Sequence, residues 1–99
     1  MNVLLARYEV TDPDRFLAVF DGFEAASREH GSTGHRVLSN TAEPGRVVVT
    51  IDFASREEAE GFAASREREA ALREASAVSR QDEILELVRS AQAPGDARA

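Results

Sequence analysis

Two histidines are the most direct candidates for chemistry. His30 and His35 bound the segment H-G-S-T-G-H. Imidazole titrates near neutral pH, so His35 suits a general base or a hydrogen-bond partner for a ligand. A metal site would need a further ligand, such as Asp52 or a glutamate, and this is not a known ligand spacing. No metal is expected. The plainer reading is that His30 stabilises a helix C-terminus while His35 packs at a strand edge.

Tyr8, Thr50 and Asp52 form a second group. If their strands are neighbours, these side chains line one pocket. Asp52 in an apolar cavity would be a proton carrier, with Tyr8 orienting a substrate or stabilising developing charge. Against this, Asp52 lies near a strand end, where a carboxylate is ordinarily exposed. Arginines lie on or beside strands at Arg7, Arg36, Arg46 and Arg89. Such a guanidinium clamps a carboxylate or stabilises an enolate; more often it pairs with Glu9, Glu83 or Glu86 across strands. Arg36 is kept as a candidate substrate contact.

Other chemistries are closed. There are no cysteines, so disulfides, thiolate zinc sites, iron–sulfur clusters and a cysteine nucleophile are excluded. All twelve basic residues are arginine, which suggests a GC-rich genome such as an actinobacterium's. Without lysine there is no Schiff base and no phosphate-loop lysine. Gly-rich phosphate loops, Ser-His-Asp arrangements and paired-carboxylate motifs are also missing. A net charge of −6 argues against nucleic acid and anionic membranes as partners. The first ten residues carry Arg7 and Glu9 and look unlike a signal peptide, so a cytoplasmic location is expected.

The elements that must position these residues can be read in order. Residues 2–10 (NVLLARYEV) read as strand 1. Thr11-Asp12-Pro13 opens a helix that runs to about His30, with Gly31 beyond its end. Phe16, Val19, Phe20, Phe23 and Ala26 make its apolar stripe. Residues 34–40 are strand 2, a Pro44-Gly45 turn follows, and residues 46–54 (RVVVTIDFA) are strand 3. Ser55-Arg56-Glu57-Glu58 is a capping box for helix 2, with a break near Ser65. The Arg and Glu residues of helix 2 read as a solvated face. Residues 81–89 are strand 4, and residues 91–99 are expected to be a disordered tail. Residues 1–90 form one domain.

The order β-α-β-β-α-β, with two crossovers of one hand, gives an α+β ferredoxin-like sandwich. Both helices cover one face of a four-stranded antiparallel sheet. Strand 3 has Val47, Val49, Ile51 and Phe53 on one side and Val48, Thr50 and Asp52 on the other. Strands 1 and 4 are likewise apolar on both sides. A sheet of this kind hides both faces. A second copy, sheet against sheet, is the simplest cover, so a homodimer is expected.

The segments FDGFEAASREHGSTGHRVL, PGRVVVTIDFASREEAEGFAAS and ALREA resemble the dimeric α/β-barrel superfamily. It includes antibiotic-biosynthesis monooxygenases, polyketide cyclases, muconolactone isomerases and haem-degrading enzymes. The likeness spans about Val3 to Val88 and lies in the order of elements, turns and caps; it holds no catalytic signature. It implies a cofactor-independent cyclase, isomerase or monooxygenase acting on an aromatic or polyketide-like small molecule. The alternative is a non-catalytic dimeric barrel with a binding, stress-response or accessory role. Related cofactor-free oxygenases use an Asn and a Trp four residues apart on strand 3. The matching positions here are Val49 and Phe53, kept with Thr50 as candidate substrate contacts, and the chain has no Trp. Helix 2 also lacks the histidine of the haem-degrading relatives.

Overall fold

The computed structural model describes residues 1–91. Its elements run β1 (Asn2–Val10), α1 (Pro13–Glu29), β2 (Ser32–Ser39), β3 (Arg46–Phe53), α2 (Arg56–Ala63), α3 (Arg66–Glu74) and β4 (Ala77–Glu86). The sheet order is β2-β3-β1-β4 and every pairing is antiparallel. This is the ferredoxin-like βαββαβ sandwich that the element order implied. The tail expected from residue 91 lies almost wholly outside the described residues.

Local signals set the helix boundaries. Asp12 caps α1 by accepting from the Arg15 backbone N–H at 3.2 Å, and Pro13 follows where no N–H is needed. Ser55 and Glu58 form a reciprocal capping box at the start of α2. The expected break falls at Ala64 and Ser65. There Ser65 restarts the helix as α3, its hydroxyl accepting from the Arg68 backbone N–H at 3.2 Å. That cap puts Arg68 in the first turn of α3.

Strand 4 begins at Ala77, four positions before the expected Gln81. The early residues Ser79 and Arg80 are polar because β4 is an edge strand, where one side of the ladder meets no neighbour. Strand 2 likewise starts at Ser32, two residues early.

Gly31 follows α1 with φ of +100°, a left-handed conformation that side chains rarely adopt. A Cβ added here would lie 2.6 Å from Cδ of Glu58, whose carboxylate is held by the α2 capping box. Gly31→Ala is therefore expected to lower stability by about 1–3 kcal/mol, combining strain with a disturbed cap. Urea unfolding measures it, and an unchanged midpoint would contradict it.

Opposed residues share a face, so register divides the sheet into two sides. Leu4, Ala6 and Tyr8 lie opposite Ile51, Val49 and Val47 under the helices, and with Val10 and Phe53 in the same core these eight are buried. Phe16 from α1, Ala59 and Phe62 from α2, and Ala75 after α3 complete the core. The other side carries Val3, Leu5, Arg7 and Glu9 beside Asp52, Thr50, Val48 and Arg46. Leu38, Leu85 and Leu87 stand more than 40% exposed. Arg7 and Glu83 pair at 2.7 Å on this bare side, both half-exposed, a contact worth about 0–1 kcal/mol in water.

Candidate active site

Register separates the residues expected to share a pocket. Tyr8 is opposite Val47 and faces the helices, whereas Thr50 is opposite Leu5 and Asp52 opposite Val3, on the bare face. Tyr8 therefore shares no pocket with Thr50 and Asp52. Arg36 lies opposite Thr50, also on the bare face and exposed. Val49 and Phe53 are 1% and 0% exposed and belong to the core, where Phe53 packs against Phe62 at 5.6 Å between ring centroids. Bulky apolar groups there fill the space that a polar pair would need for substrate contact.

His35 faces the helix layer opposite Ile51. It is half-buried, edge-on to Phe20 with centroids 5.0 Å apart. His30 caps α1, sits edge-on to Phe62, and has Nε2 3.8 Å from a Glu67 carboxylate oxygen. The two histidines thus face different neighbours. Among the described residues, no three His, Asp or Glu side chains converge as a metal site would require.

What the helix face builds is a cleft between α1, α3 and the sheet. Tyr8, Phe16, Phe20, Phe23, Phe62 and Leu72 are among its walls, and Arg68 closes one end. The cleft is apolar except at that end. Rings run across it in a row: Tyr8 to Phe16 at 5.4 Å, Phe16 to Phe20 at 6.1 Å, Phe20 to His35 at 5.0 Å. Tyr8 lines the cleft, whereas His35 ends the row beyond Phe20, outside the cleft's lining. Its open volume is about 20 Å³, room for one water molecule. A groove of about 530 Å³ lies outside it between α1 and α3, sharing Val19, Phe23 and Ala71 as a common wall.

Arg68 is the residue that the sequence did not single out. Its side chain is 3% exposed. Nη1 donates to the Ala63 carbonyl at 3.1 Å and to Asp82 Oδ2 at 2.8 Å. Nη2 donates to Asp82 Oδ1 at 2.7 Å and to Tyr8 Oη at 2.7 Å. The Arg68–Asp82 contact is the bidentate fork that a guanidinium and a carboxylate make best. Burial pushes the Tyr8 phenol above its ordinary range, against the opposing pull of the Arg68 charge. Tyr8 is therefore neutral at physiological pH, and its oxygen accepts from Arg68 while no acceptor takes its O–H among the described residues.

Burial also pushes the Asp82 carboxyl up, but the Arg68 hydrogen bonds and charge, with Arg80, outweigh it and hold the group below its usual value. A depressed carboxylate contributes stability above its unfolded-state value and loses it as pH falls through the folded-state value. Stability should therefore decline below about pH 4. Asp82→Asn, with no carboxylate to protonate, should lose less between about pH 5 and pH 2. Urea titrations at both pH values test this; equal losses would contradict it.

No family model and no curated protein matches the sequence. Solved structures do. The chain superposes on the cofactor-independent oxygenase SnoaB from Streptomyces nogalater with a TM-score of 0.76 at 13% identity, covering 90% of this chain and 94% of that one. A crystal structure named as an antibiotic biosynthesis monooxygenase gives 0.70 at 13% identity, covering 90% and 100%. A Nitrosomonas europaea protein provisionally assigned to the same activity gives 0.71 at 17% identity, with the same coverage. The fold is that of the antibiotic biosynthesis monooxygenases. Identities this low speak to architecture alone. Within the monooxygenase-type fold, this chain places its polar corner on β1 and α3, at Tyr8 and Arg68. Among the described residues, no helix is long and apolar enough to cross a membrane.

Proposed function

We propose that the chain is a cofactor-independent enzyme of the cyclase, isomerase or oxygenase kind, acting on an aromatic or polyketide-like molecule in the cleft under the helices. The observation that carries this is an aromatic-walled cleft whose polar end is a phenol poised to donate. These three reaction classes share a first step, removal of a proton that leaves an enolate or phenolate oxygen. Tyr8 O–H stabilises that oxygen by donating a hydrogen bond to it, in an orientation set by the Arg68 contact. His35, at the other end of the ring row, takes the proton. Strand rise and spacing put the Tyr8 and His35 backbones roughly 15 Å apart, a span suited to two or three fused rings.

Entry requires the wall to part. If Val19 and Phe23 turn aside, the cleft joins the outer groove and the space becomes comparable with ordinary ligand pockets. One observation favours the second reading, a non-catalytic barrel: the cleft is narrow, with room for a single water.

Proton exchange separates the two. Anthrone in deuterated buffer should exchange its acidic ring-methylene hydrogens faster with the protein than without it, followed by NMR. Tyr8→Phe should slow the catalysed exchange about 10- to 100-fold, and His35→Gln should remove most of it. Exchange at the buffer rate in the presence of the wild-type protein would favour the non-catalytic barrel.

The bare face is proposed as the homodimer interface, sheet against sheet. Val3, Leu5, Leu38, Val48, Leu85 and Leu87 support this, since an isolated protomer would hold them against water. Thr50, Asp52 and Arg36 then belong to the paired surface. Asp52 as a proton carrier would serve a pocket between the two sheets, separate from the Tyr8 cleft.

A further inference from the structure

The polar end of the cleft is charged in its parts and neutral as a whole. Arg68 has both Nη atoms committed, to Asp82, Ala63 and Tyr8. Its positive charge faces the Asp82 carboxylate at 2.7 Å. Arg80, nearby, pairs with Glu69. A guanidinium so engaged has no open fork left for a ligand carboxylate. The next donor along the chain of bonds is the Tyr8 hydroxyl. Because Nη2 donates to its oxygen, the phenol cannot donate back to Arg68 and its hydrogen is left for another acceptor; among the described residues Arg68 is the side chain that bonds that oxygen.

We infer that Arg68 and Asp82 are positioning residues that turn Tyr8 into a one-way donor, so that the cleft selects flat ring ligands bearing an uncharged acceptor oxygen and rejects their carboxylates. This rests on the reading of the cleft as a binding site for aromatic molecules and names the class of ligand it takes. A ketone or quinone oxygen meets the Tyr8 hydrogen and leaves no charge unpaired. A carboxylate in the same place would be desolvated among phenyl rings beside a cation already neutralised by Asp82, which is costly.

Calorimetric titration with 1-tetralone and 1-naphthoate, two bicyclic molecules of similar size, tests it. The wild-type protein should bind the ketone at least about tenfold more tightly than the carboxylate. Tyr8→Phe keeps the ring and should weaken the ketone by about three- to tenfold with little effect on the carboxylate. Asp82→Asn leaves Arg68 without its counter-charge and should narrow or invert the preference. Arg68→Lys, retaining charge without the fork, should weaken the ketone as Tyr8→Phe does. Equal affinity for both molecules, or a ratio that neither Tyr8→Phe nor Asp82→Asn moves, overturns the selectivity while leaving the cleft a binding site. Binding of neither molecule by the wild-type protein overturns the cleft reading itself, and this inference falls with it.

Discussion

Arg68→Ala is expected to be among the most damaging single substitutions in this protein. The side chain is almost wholly buried and makes four hydrogen bonds to three partners. Removing it leaves Asp82 as an unpaired carboxylate, 27% exposed, and strands the Tyr8 oxygen and the Ala63 carbonyl. Breaking a fully buried pair costs about 3–5 kcal/mol; partial access of water to Asp82 brings the expectation to about 2–4 kcal/mol. In a domain of this size that is a fall in Tm of roughly 10–25 °C. The double variant Arg68→Met, Asp82→Leu removes both charges and should recover most of the loss, because no ion is left without a partner. Recovery would assign the damage to the orphaned charge. A double variant as unstable as Arg68→Ala would assign it to lost packing instead, and the electrostatic account of the corner would be wrong.

Leu5→Asp is expected to turn a dimer into a monomer with its fold intact. Leu5 points away from the helices, between Thr50 on β3 and Glu83 on β4, so the protomer core does not depend on it. In a two-fold sheet-to-sheet pairing each substitution counts twice. Two carboxylates, each placed beside Glu83 and cut off from water, should weaken association by more than about 100-fold. Sedimentation at micromolar concentration should show wild-type dimer and variant monomer, with matching circular dichroism. A wild-type protein that sediments as one subunit would contradict the pairing and leave the apolar residues of the bare face without a role.

Much of the architecture is legible in the residues. The Asp12-Pro13 start, the Gly31 stop, the Ser55–Glu58 capping box and the restart at Ser65 are local devices, and local chemistry sets them. Strand pairing is harder, because β1 and β3 are apolar on both sides. Placing Tyr8 with Thr50 and Asp52 failed for that reason. The clue was present: Arg7 and Glu9 mark one side of β1 as the less apolar, as Thr50 and Asp52 mark one side of β3, and like sides lie together. Strand 4 blurs at its start because an edge strand tolerates polar residues such as Ser79 and Arg80.

Arg68 was hidden by its company. In the run Arg66-Glu67-Arg68-Glu69 it reads as one more solvated charge. Yet it precedes Ala71, Leu72 and Ala75 by three, four and seven positions, the spacing of a helix's inner stripe. A charge at a stripe position calls for a buried partner. Asp82, two residues before Ile84 on the helix-facing side of β4, supplies it. His35 was legible by type, but its place at the end of a ring row depends on α1 lying across β2.

The claim on which the function rests is that small aromatic molecules enter the space beside Tyr8. The chain has one tyrosine and no tryptophan, so a single labelled carbon reports on that space alone. Protein labelled with carbon-13 at the tyrosine Cζ should give one resonance. Titration with 1-tetralone should move it progressively to a plateau, as a new acceptor engages the hydroxyl. A resonance that stays in place through saturating ligand, or that drifts without a plateau, would contradict a ligand site under the helices.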